Sequence, residues 1–314
     1  MIFVRYPHLH PVGSNNVVTI GNFDGVHLGH QALIKRVVAY AKAHGLSSCV
    51  VSMQPLASQY FAKNRALPVL TPFKCKFALL RDLGVGIFCV LNFNRKLAEL
   101  CAQDFVDDIL LAGLNAKHII IGDDFRFGKD RVGDFEFLKN YCQKSGVGVE
   151  SMATIATENT RISSSYVRQK LSHSDFQAVE LSLGRKFSIF GKVSSGKKLG
   201  RELGFPTINI RLRNKAVPIK GIFCVKVRFS DGQLHIGAAS IGTRPTVNGR
   251  ENILEVFILD FNKCVYGQKV EIIFYHKLRN EVKFDSLDEL KRHIEQDVLK
   301  TRLYFKKNES GVVA

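Results

Sequence analysis

No stretch of about 18 consecutive apolar residues occurs in the 314-residue chain, so no membrane-spanning helix is expected. The opening residues, Met1 to Pro7, lack the basic start and apolar core of a secretory leader. Cysteine is sparse and unpaired in pattern. Seven residues (Cys49, Cys75, Cys89, Cys101, Cys142, Cys224 and Cys264) make an odd, widely spaced set without a C-x-x-C pair. That argues against a disulfide framework and a cysteine zinc site, and a reducing, cytoplasmic setting is expected. There is no internal repeat and no low-complexity linker. No Lys/Arg block exists beyond short pairs such as Lys197-Lys198, although Lys+Arg 45 against Asp+Glu 28 gives a net charge of +17. Spread in this way, the charge fits either a nucleic-acid surface or an enzyme that attracts polyanionic nucleotides.

What is present is an ordinary globular balance, 46% hydrophobic and 23% charged, with enough chain for two domains. The first half alternates strand and helix signals. Val17-Val18-Thr19-Ile20 reads as a buried strand. A helix follows with Leu33, Ile34, Val37, Val38 and Ala41 on one face. Strands are predicted at 49–51, 87–91 and 118–121. One helix should open at Pro72 and end at Gly84, and another should cover 105–111. Alternation of this kind implies a doubly wound parallel sheet covered on both faces.

From about residue 187 the helical period disappears. Six short β-rich runs, 187–193, 208–212, 222–229, 234–241, 254–261 and 270–274, are separated by turn residues such as Asp231-Gly232 and Asn248-Gly249. They predict a small antiparallel barrel. A last helix should start at Ser286, with Glu289 completing a capping box and Leu287, Leu290, Ile294 and Val298 forming an apolar stripe. The domain boundary is placed at 183/184, and the chain is expected to fray from about Lys306.

Two segments carry chemistry. The first, Gly21-Asn22-Phe23-Asp24-Gly25-Val26-His27-Leu28-Gly29-His30, follows a strand and opens a helix. Gly21, Gly25 and Gly29 let backbone approach a ligand, and the helix N-terminus favours phosphate. His27 and His30, three apart, can both meet charge developing on a transferring phosphate. Taken alone, an H-x-x-H is a capping turn with two solvated histidines; it lacks the H-E-x-x-H spacing of a zinc protease. The second segment is Gly196-Lys197-Lys198-Leu199-Gly200-Arg201-Glu202-Leu203-Gly204-Phe205-Pro206-Thr207-Ile208-Asn209. Its glycines leave N–H groups free to wrap phosphates. Thr207 and Asn209 alternate along a strand and share a face, where two neutral oxygens suit a partly hydrated Mg²⁺. The bland reading is a surface turn before a strand. A Walker loop is excluded, because Lys198 stands where the magnesium-ligating Ser or Thr belongs and strands follow.

The run Phe23–His30 resembles the H-x-G-H signature of nucleotidyltransferases, and its flanks resemble one branch, the prokaryotic bifunctional riboflavin kinase/FMN adenylyltransferases. Gly122-Asp123-Asp124-Phe125-Arg126-Phe127-Gly128 is similar to that family's G-x-D-F-x-F-G loop. Arg161-Ile162-Ser163-Ser164-Ser165-Tyr166-Val167-Arg168 is similar to its I-S-S-T-x-I-R motif. Read physically, Ser163 or Ser164 caps a helix, and Arg168, four residues beyond Ser164, can clamp pyrophosphate. The second segment resembles the riboflavin kinase signature G-R-x-L-G-F-P-T-x-N. Further likenesses follow in order at Gly221-Ile222-Phe223, Ser240 to Thr246, Leu254-Glu255-Val256 and Leu278 to Phe284, so that the resemblance covers about residues 16–303.

The resemblance implies an N-terminal adenylyltransferase domain (1–183) and a C-terminal Greek-key barrel kinase domain with a terminal helix (184–314). It implies ATP as co-substrate with Mg²⁺, and riboflavin, FMN and FAD as the other partners. Gly21, Phe23, Asp24, Gly25, Gly29, Ser163, Ser164, Gly196, Lys197, Gly200, Arg201, Gly204, Thr207 and Asn209 would bind nucleotide. Thr207 and Asn209 would hold the metal. Asp124, Phe125, Phe127, Arg279 and Phe284 would contact flavin. Glu255 would be the kinase base, with His27, His30 and Arg168 serving adenylyl transfer. One segment departs: where the family carries Phe-Glu/Asp-Pro-His-Pro, this chain has Met53-Gln54-Pro55-Leu56-Ala57. Two alternatives stay open, a kinase with a degenerate adenylyltransferase domain and a nucleic-acid-binding protein on a nucleotidyltransferase-like fold. No specific nucleic acid, no membrane, and a monomer or weak homo-oligomer are expected.

Overall fold

A computed structural model describes residues 1–62, 67–153, 156–157, 160–196, 199–212, 217–246 and 249–309. The chain divides into two compact units, Met1–Tyr166 and Val167–Ala314.

The first unit is built on a six-stranded sheet, β1 (Ile2–Val4), β2 (Asn16–Ile20), β3 (Ser47–Gln54), β4 (Ile87–Asn92), β5 (Ala116–Gly122) and β6 (Gly148–Met152), in the order β1-β4-β3-β2-β5-β6. All its pairings are parallel. Successive residues of the central strands feed two cores. Val18, Ile20, Cys49 and Val51 pack on one face with Phe105, Leu110 and Leu138. Val17, Val50 and Phe88 pack on the other with Ile34, Val37 and Leu80. Both faces are thus covered, and the near-continuous apolar runs of these strands follow from that. The expected helices are present at Leu28–Ala43 and Phe73–Asp82, the latter capped by Pro72. The helix expected at 105–111 is a π-helical stretch, Phe105–Gly113. A small hairpin, β7 (Ala156–Thr157) with β8 (Thr160–Arg161), precedes the helix Ser164–Ser172.

The chain from β4 to β5 crosses to the other side of β2, so the winding direction reverses between β2 and β5. In open parallel sheets, ligands bind beyond the carboxyl ends of the strands at such a switch point.

The second unit holds a closed antiparallel barrel of β9 (Ser188–Ser194), β10 (Thr207–Arg211), β11 (Gly221–Arg228), β12 (Leu234–Thr246), β13 (Gly249–Ile258) and β14 (Lys269–Arg279), ordered β10-β13-β12-β11-β14-β9. β11, β12 and β13 form consecutive hairpins, and β10 returns to lie beside β13, a Greek key. Closure removes the open edges. Phe223 and Phe274 fill the barrel, edge to face at 5.5 Å.

The division between units comes earlier than the boundary drawn from sequence at 183/184. The helix Phe176–Leu183 brings Phe176 onto Phe223 and Phe274, at 5.8 and 6.2 Å, and so packs with the barrel. The terminal helix runs from Leu287 to Glu309, past the point where fraying was expected. Ser286 Oγ accepts the Glu289 N–H as expected, but the Glu289 carboxylate accepts from the Asp285 N–H, one residue outside a regular capping box. Leu287 is exposed, and the rest of the expected stripe, Leu290, Ile294 and Val298, is half-buried.

Candidate functional site

The first site follows from the end of β2. Gly21 to His27 form a tight turn whose backbone is left-handed at Phe23 (φ 46), Gly25 (φ 88) and Val26 (φ 44). Such a conformation costs about 1–3 kcal/mol per non-glycine residue and persists only where surroundings hold it. Here they do. Phe23 and Val26 are 1% exposed, within the core under the sheet. The Asp24 carboxylate, equally buried, accepts the backbone N–H groups of Leu70 and Thr71 at 3.0 Å. The Ser164 hydroxyl donates to the Asp24 carbonyl at 2.8 Å. From the far side, Lys76 Nζ donates to the Asn22 carbonyl at 2.6 Å.

His27 caps the helix Leu28–Ala43, its Nδ1 accepting the His30 N–H at 3.3 Å. The two imidazoles stack with centroids 3.6 Å apart, and Phe23 meets His30 edge-on at 5.2 Å. Burial, then His27 and Lys76, pushes His30 well below the ordinary imidazole range. It is therefore neutral near pH 7 and able to donate one N–H without carrying charge. Its Nδ1 is buried without a protein partner.

A cavity of about 1050 Å³ opens over this turn. It lies at the carboxyl ends of the strands, lined by Gly21 after β2, Met53 in β3, Phe93 after β4, Gly122 and Asp124 at the end of β5, and Met152 in β6. Of the residues expected to bind nucleotide or flavin here, Gly21, Phe23, Gly29, Ser163, Ser164, Asp124, Phe125 and Phe127 line it, with His27 and His30. Asp24 and Gly25 do not; they stand behind the wall, Asp24 as a clamp on the turn. Ser163 is the cap of the next helix, its Oγ accepting from the Tyr166 N–H at 3.1 Å. Arg168 follows on that helix, within the second unit. Phe125 stacks on Phe127 at 5.6 Å, and the Asp124 carboxylate is paired with Arg161.

In the departing segment, Leu56 is buried at 7% exposure, while Met53 and Ala57 line the cavity. The position at which the family carries histidine is therefore a core position here. Just beyond it, Tyr60, Phe61 and Phe93 form a mutually edge-on aromatic cluster on the cavity wall, with centroids 5.2–5.7 Å apart. Sequence reading missed these rings, although three aromatics after two apolar strands are a visible signal. It also missed Lys76. That side chain shares the helix face of Phe73, Phe77 and Leu80, and a lysine on an apolar face was the available clue.

The second site lies on the barrel. Thr207 and Asn209 both project from β10, and Asn209 Nδ2 donates to Thr207 Oγ1 at 3.5 Å. Glu255 on β13 is registered directly against Asn209. Gly196 sits on the Asn209 side chain so closely that a Cβ would lie 2.5 Å from Nδ2. Gly200 lies within a short helix, Leu199–Glu202, where a Cβ would strike the Phe205 carbonyl at 2.4 Å. Arg201 is exposed and Gly204 is left-handed (φ 87). Lys197 lies outside the described residues. Oxygen donors at Thr207, Asn209 and Glu255 suit a hard divalent cation that keeps several waters and phosphate ligands.

Arg279, expected at the flavin, is largely committed within the protein. Its Nε and Nη2 donate to the Asp297 carboxylate at 3.0 and 2.7 Å, and its Nη1 donates to the Asn280 carbonyl. Its guanidinium lies 5.7 Å over Phe284, which contacts His293.

A nucleotide-type α/β unit with an H-x-G-H turn at its switch point, joined to a Greek-key barrel carrying P-T-x-N opposite a glutamate, defines a two-domain flavin-nucleotide transferase. Residues 10–166 match the FAD synthetase family and residues 183–305 the riboflavin kinase family. The chain is 41% identical over 288 residues to the bifunctional riboflavin kinase/FMN adenylyltransferase of Haemophilus influenzae, covering 92% of this chain and 94% of the relative. It is 43% identical over 304 residues to that of Pseudomonas fluorescens, covering 96% and 97%. A solved structure named as a macrolide-efflux protein from Streptococcus pneumoniae superposes with a TM-score of 0.83 at 29% identity, over 96% of this chain and 99% of that one. The chain belongs to the bifunctional riboflavin kinase/FMN adenylyltransferase family. Among the described residues, no helix is long and apolar enough to cross a membrane.

Proposed function

We propose that the two sites work in sequence, the barrel phosphorylating riboflavin to FMN and the α/β unit adenylating FMN to FAD. The observation that carries this is the presence in one chain of two separate constellations, each with its own glycine-rich turn and charge-handling groups.

At the barrel site, Glu255 takes the proton from the ribityl 5′-hydroxyl as its oxygen attacks the γ-phosphorus of ATP, and ADP leaves. The turn at Gly196 and Gly200 brings backbone against the phosphates. Thr207 and Asn209 would hold Mg²⁺, whose chemistry is to neutralise phosphate charge. At the other site, an FMN phosphate oxygen attacks the α-phosphorus of ATP and pyrophosphate leaves. His27, His30 and the N-terminus of the helix Leu28–Ala43 meet the charge on the α-phosphate, and Arg168 meets the pyrophosphate. The flavin lies along Asp124, Phe125 and Phe127. No covalent protein intermediate is required, because positioning and charge stabilisation carry such transfers.

The degenerate-adenylyltransferase alternative rests on the Met53 to Ala57 departure. Leu56 is packed into the core and leaves the charge-handling groups untouched, which favours an active unit. The +17 charge is read as steering for polyanionic substrates rather than as a specific nucleic-acid surface. A cytoplasmic monomer or weak homo-oligomer completes the reading. Incubation of the purified chain with riboflavin and ATP·Mg²⁺, with FMN and FAD separated chromatographically, tests it. Nanomolar, salt-sensitive binding of a specific RNA would favour the rival.

A further inference from the structure

We propose that Lys76 is a positioning residue for adenylyl transfer, its enclosed ammonium holding the Asn22 carbonyl so that the Gly21–His30 turn stays in register with the cavity. This rests on the reading that adenylyl transfer occurs over that turn.

The argument begins with an anomaly. Lys76 is buried at 6% exposure on the apolar face of its helix, where a cation is costly unless it is bonded. Its bonds lead to the site. Nζ donates to the Asn22 carbonyl at 2.6 Å and to Ser52 Oγ at 3.3 Å, and Ser52, itself buried, donates its own hydroxyl to the same carbonyl at 3.1 Å. Asn22 lines the cavity, and the left-handed backbone begins at the next residue. The same stretch of chain supplies the opposite clamp through the Leu70 and Thr71 N–H groups on Asp24. The turn is thus gripped at a carbonyl by a cation and at a carboxylate by two N–H groups. A lysine also adds a positive charge beneath a site that handles phosphate, near a histidine that burial keeps neutral.

The titratable and polar side chains facing the ammonium are Asp24 on the turn, His30 at the helix start, and Ser52 on β3. Burial pushes Lys76 down to about 8, against the attraction of Asp24. The cation is therefore present below that pH and lost above it. Adenylyl transfer should weaken as pH rises through about 8.

The test uses the full chain, with FAD formation from FMN and ATP·Mg²⁺ followed from pH 6.5 to 9.5 and riboflavin phosphorylation followed in parallel. K76M is expected to lower kcat for FAD formation at pH 7 by about 10- to 100-fold, the scale of a misplaced reacting group. KM for FMN should move less than threefold, the alkaline limb should disappear, and FMN production should be unchanged. Wild-type kcat in K76M, or an alkaline limb that persists in its remaining activity, overturns the proposal. Should K76M not fold, S52A decides. Losing one acceptor disfavours the charged form, so the wild-type limb should shift to lower pH, and an unmoved limb overturns the proposal. A wild-type chain that makes no FAD ends the underlying reading as well, whereas FAD formation indifferent to Lys76 ends this inference alone.

Discussion

Glu255 on β13 and Asn209 on β10 stand directly opposite one another in the antiparallel ladder. Directly opposed residues share a face, with Cβ atoms about 4.5–5.5 Å apart. A carboxylate is thereby brought beside the Thr207–Asn209 pair from a strand far along the sequence, and its separation from that pair is fixed by sheet register. Register is hard to slip in a closed barrel, because a one-residue shift would turn every core side chain outward.

Glu255→Ala should therefore lower riboflavin phosphorylation by about 10²–10⁴, the scale of a lost general base. FAD formation from supplied FMN should stay within twofold of the parent. Separate assays of the two half-reactions check this, and parental kinase activity would remove Glu255 from its role.

Gly196→Ala tests the turn rather than the base. The added Cβ must displace the Asn209 amide, which lies 2.5 Å from the position it would occupy. A displacement of this size is expected to cost kinase kcat/KM roughly 10²-fold. The fold should survive, as a thermal melt of the variant would show.

Much of this architecture was legible in the sequence. All six barrel strands coincide with β-rich runs, because alternation and turn residues mark a half-buried sheet clearly. The central parallel strands were legible for the opposite reason, as short continuous apolar runs. The misses have physical causes. β1 has three residues, too few for a period. β6 is an edge strand in which Glu150 and Ser151 interrupt the apolar residues. At the candidate sites, groupings within one motif were readable, such as His27 stacked on His30 and Thr207 beside Asn209. Lys76 and Asp297 act through partners distant in sequence, which one-dimensional spacing does not encode. Asp24 and Arg279 show the converse, since a residue inside a binding motif can spend its side chain on holding the fold.

His30→Ala is expected to slow FAD formation by about 10²–10³, the scale of one removed charge-stabilising donor, and to leave the kinase unaffected. The neutral state of His30 also sets a pH dependence. Its folded-state value lies below the unfolded one, so the unfolded chain binds the extra proton as pH falls below about 6.5. Stability of the first unit should accordingly decline on acidification through that range. His118, also lowered by burial, acts with the same sign. His30→Gln should make the decline shallower, which melts at pH 5.5 and 7.5 would reveal.

Asp297→Ala removes the partner of a largely buried guanidinium, with side-chain exposures of 19% for Arg279 and 6% for Asp297. Breaking a buried pair from one side costs about 3–5 kcal/mol. Denaturant unfolding of the second unit should show a loss of that size. A loss under about 1 kcal/mol would mean that the pair is solvated like a surface bridge.

The central claim is that one chain performs two successive ATP-dependent steps at two distinct sites. The direct measurement is a time course of riboflavin with millimolar ATP·Mg²⁺, quantifying FMN and FAD separately, repeated with Glu255→Ala and His30→Ala. The account predicts FMN first and FAD after it in the parent. Glu255→Ala should produce neither from riboflavin yet make FAD from supplied FMN, and His30→Ala should accumulate FMN with little FAD. FMN without FAD in the parent, even at millimolar FMN and ATP, would contradict it and leave a kinase carrying an inactive partner domain.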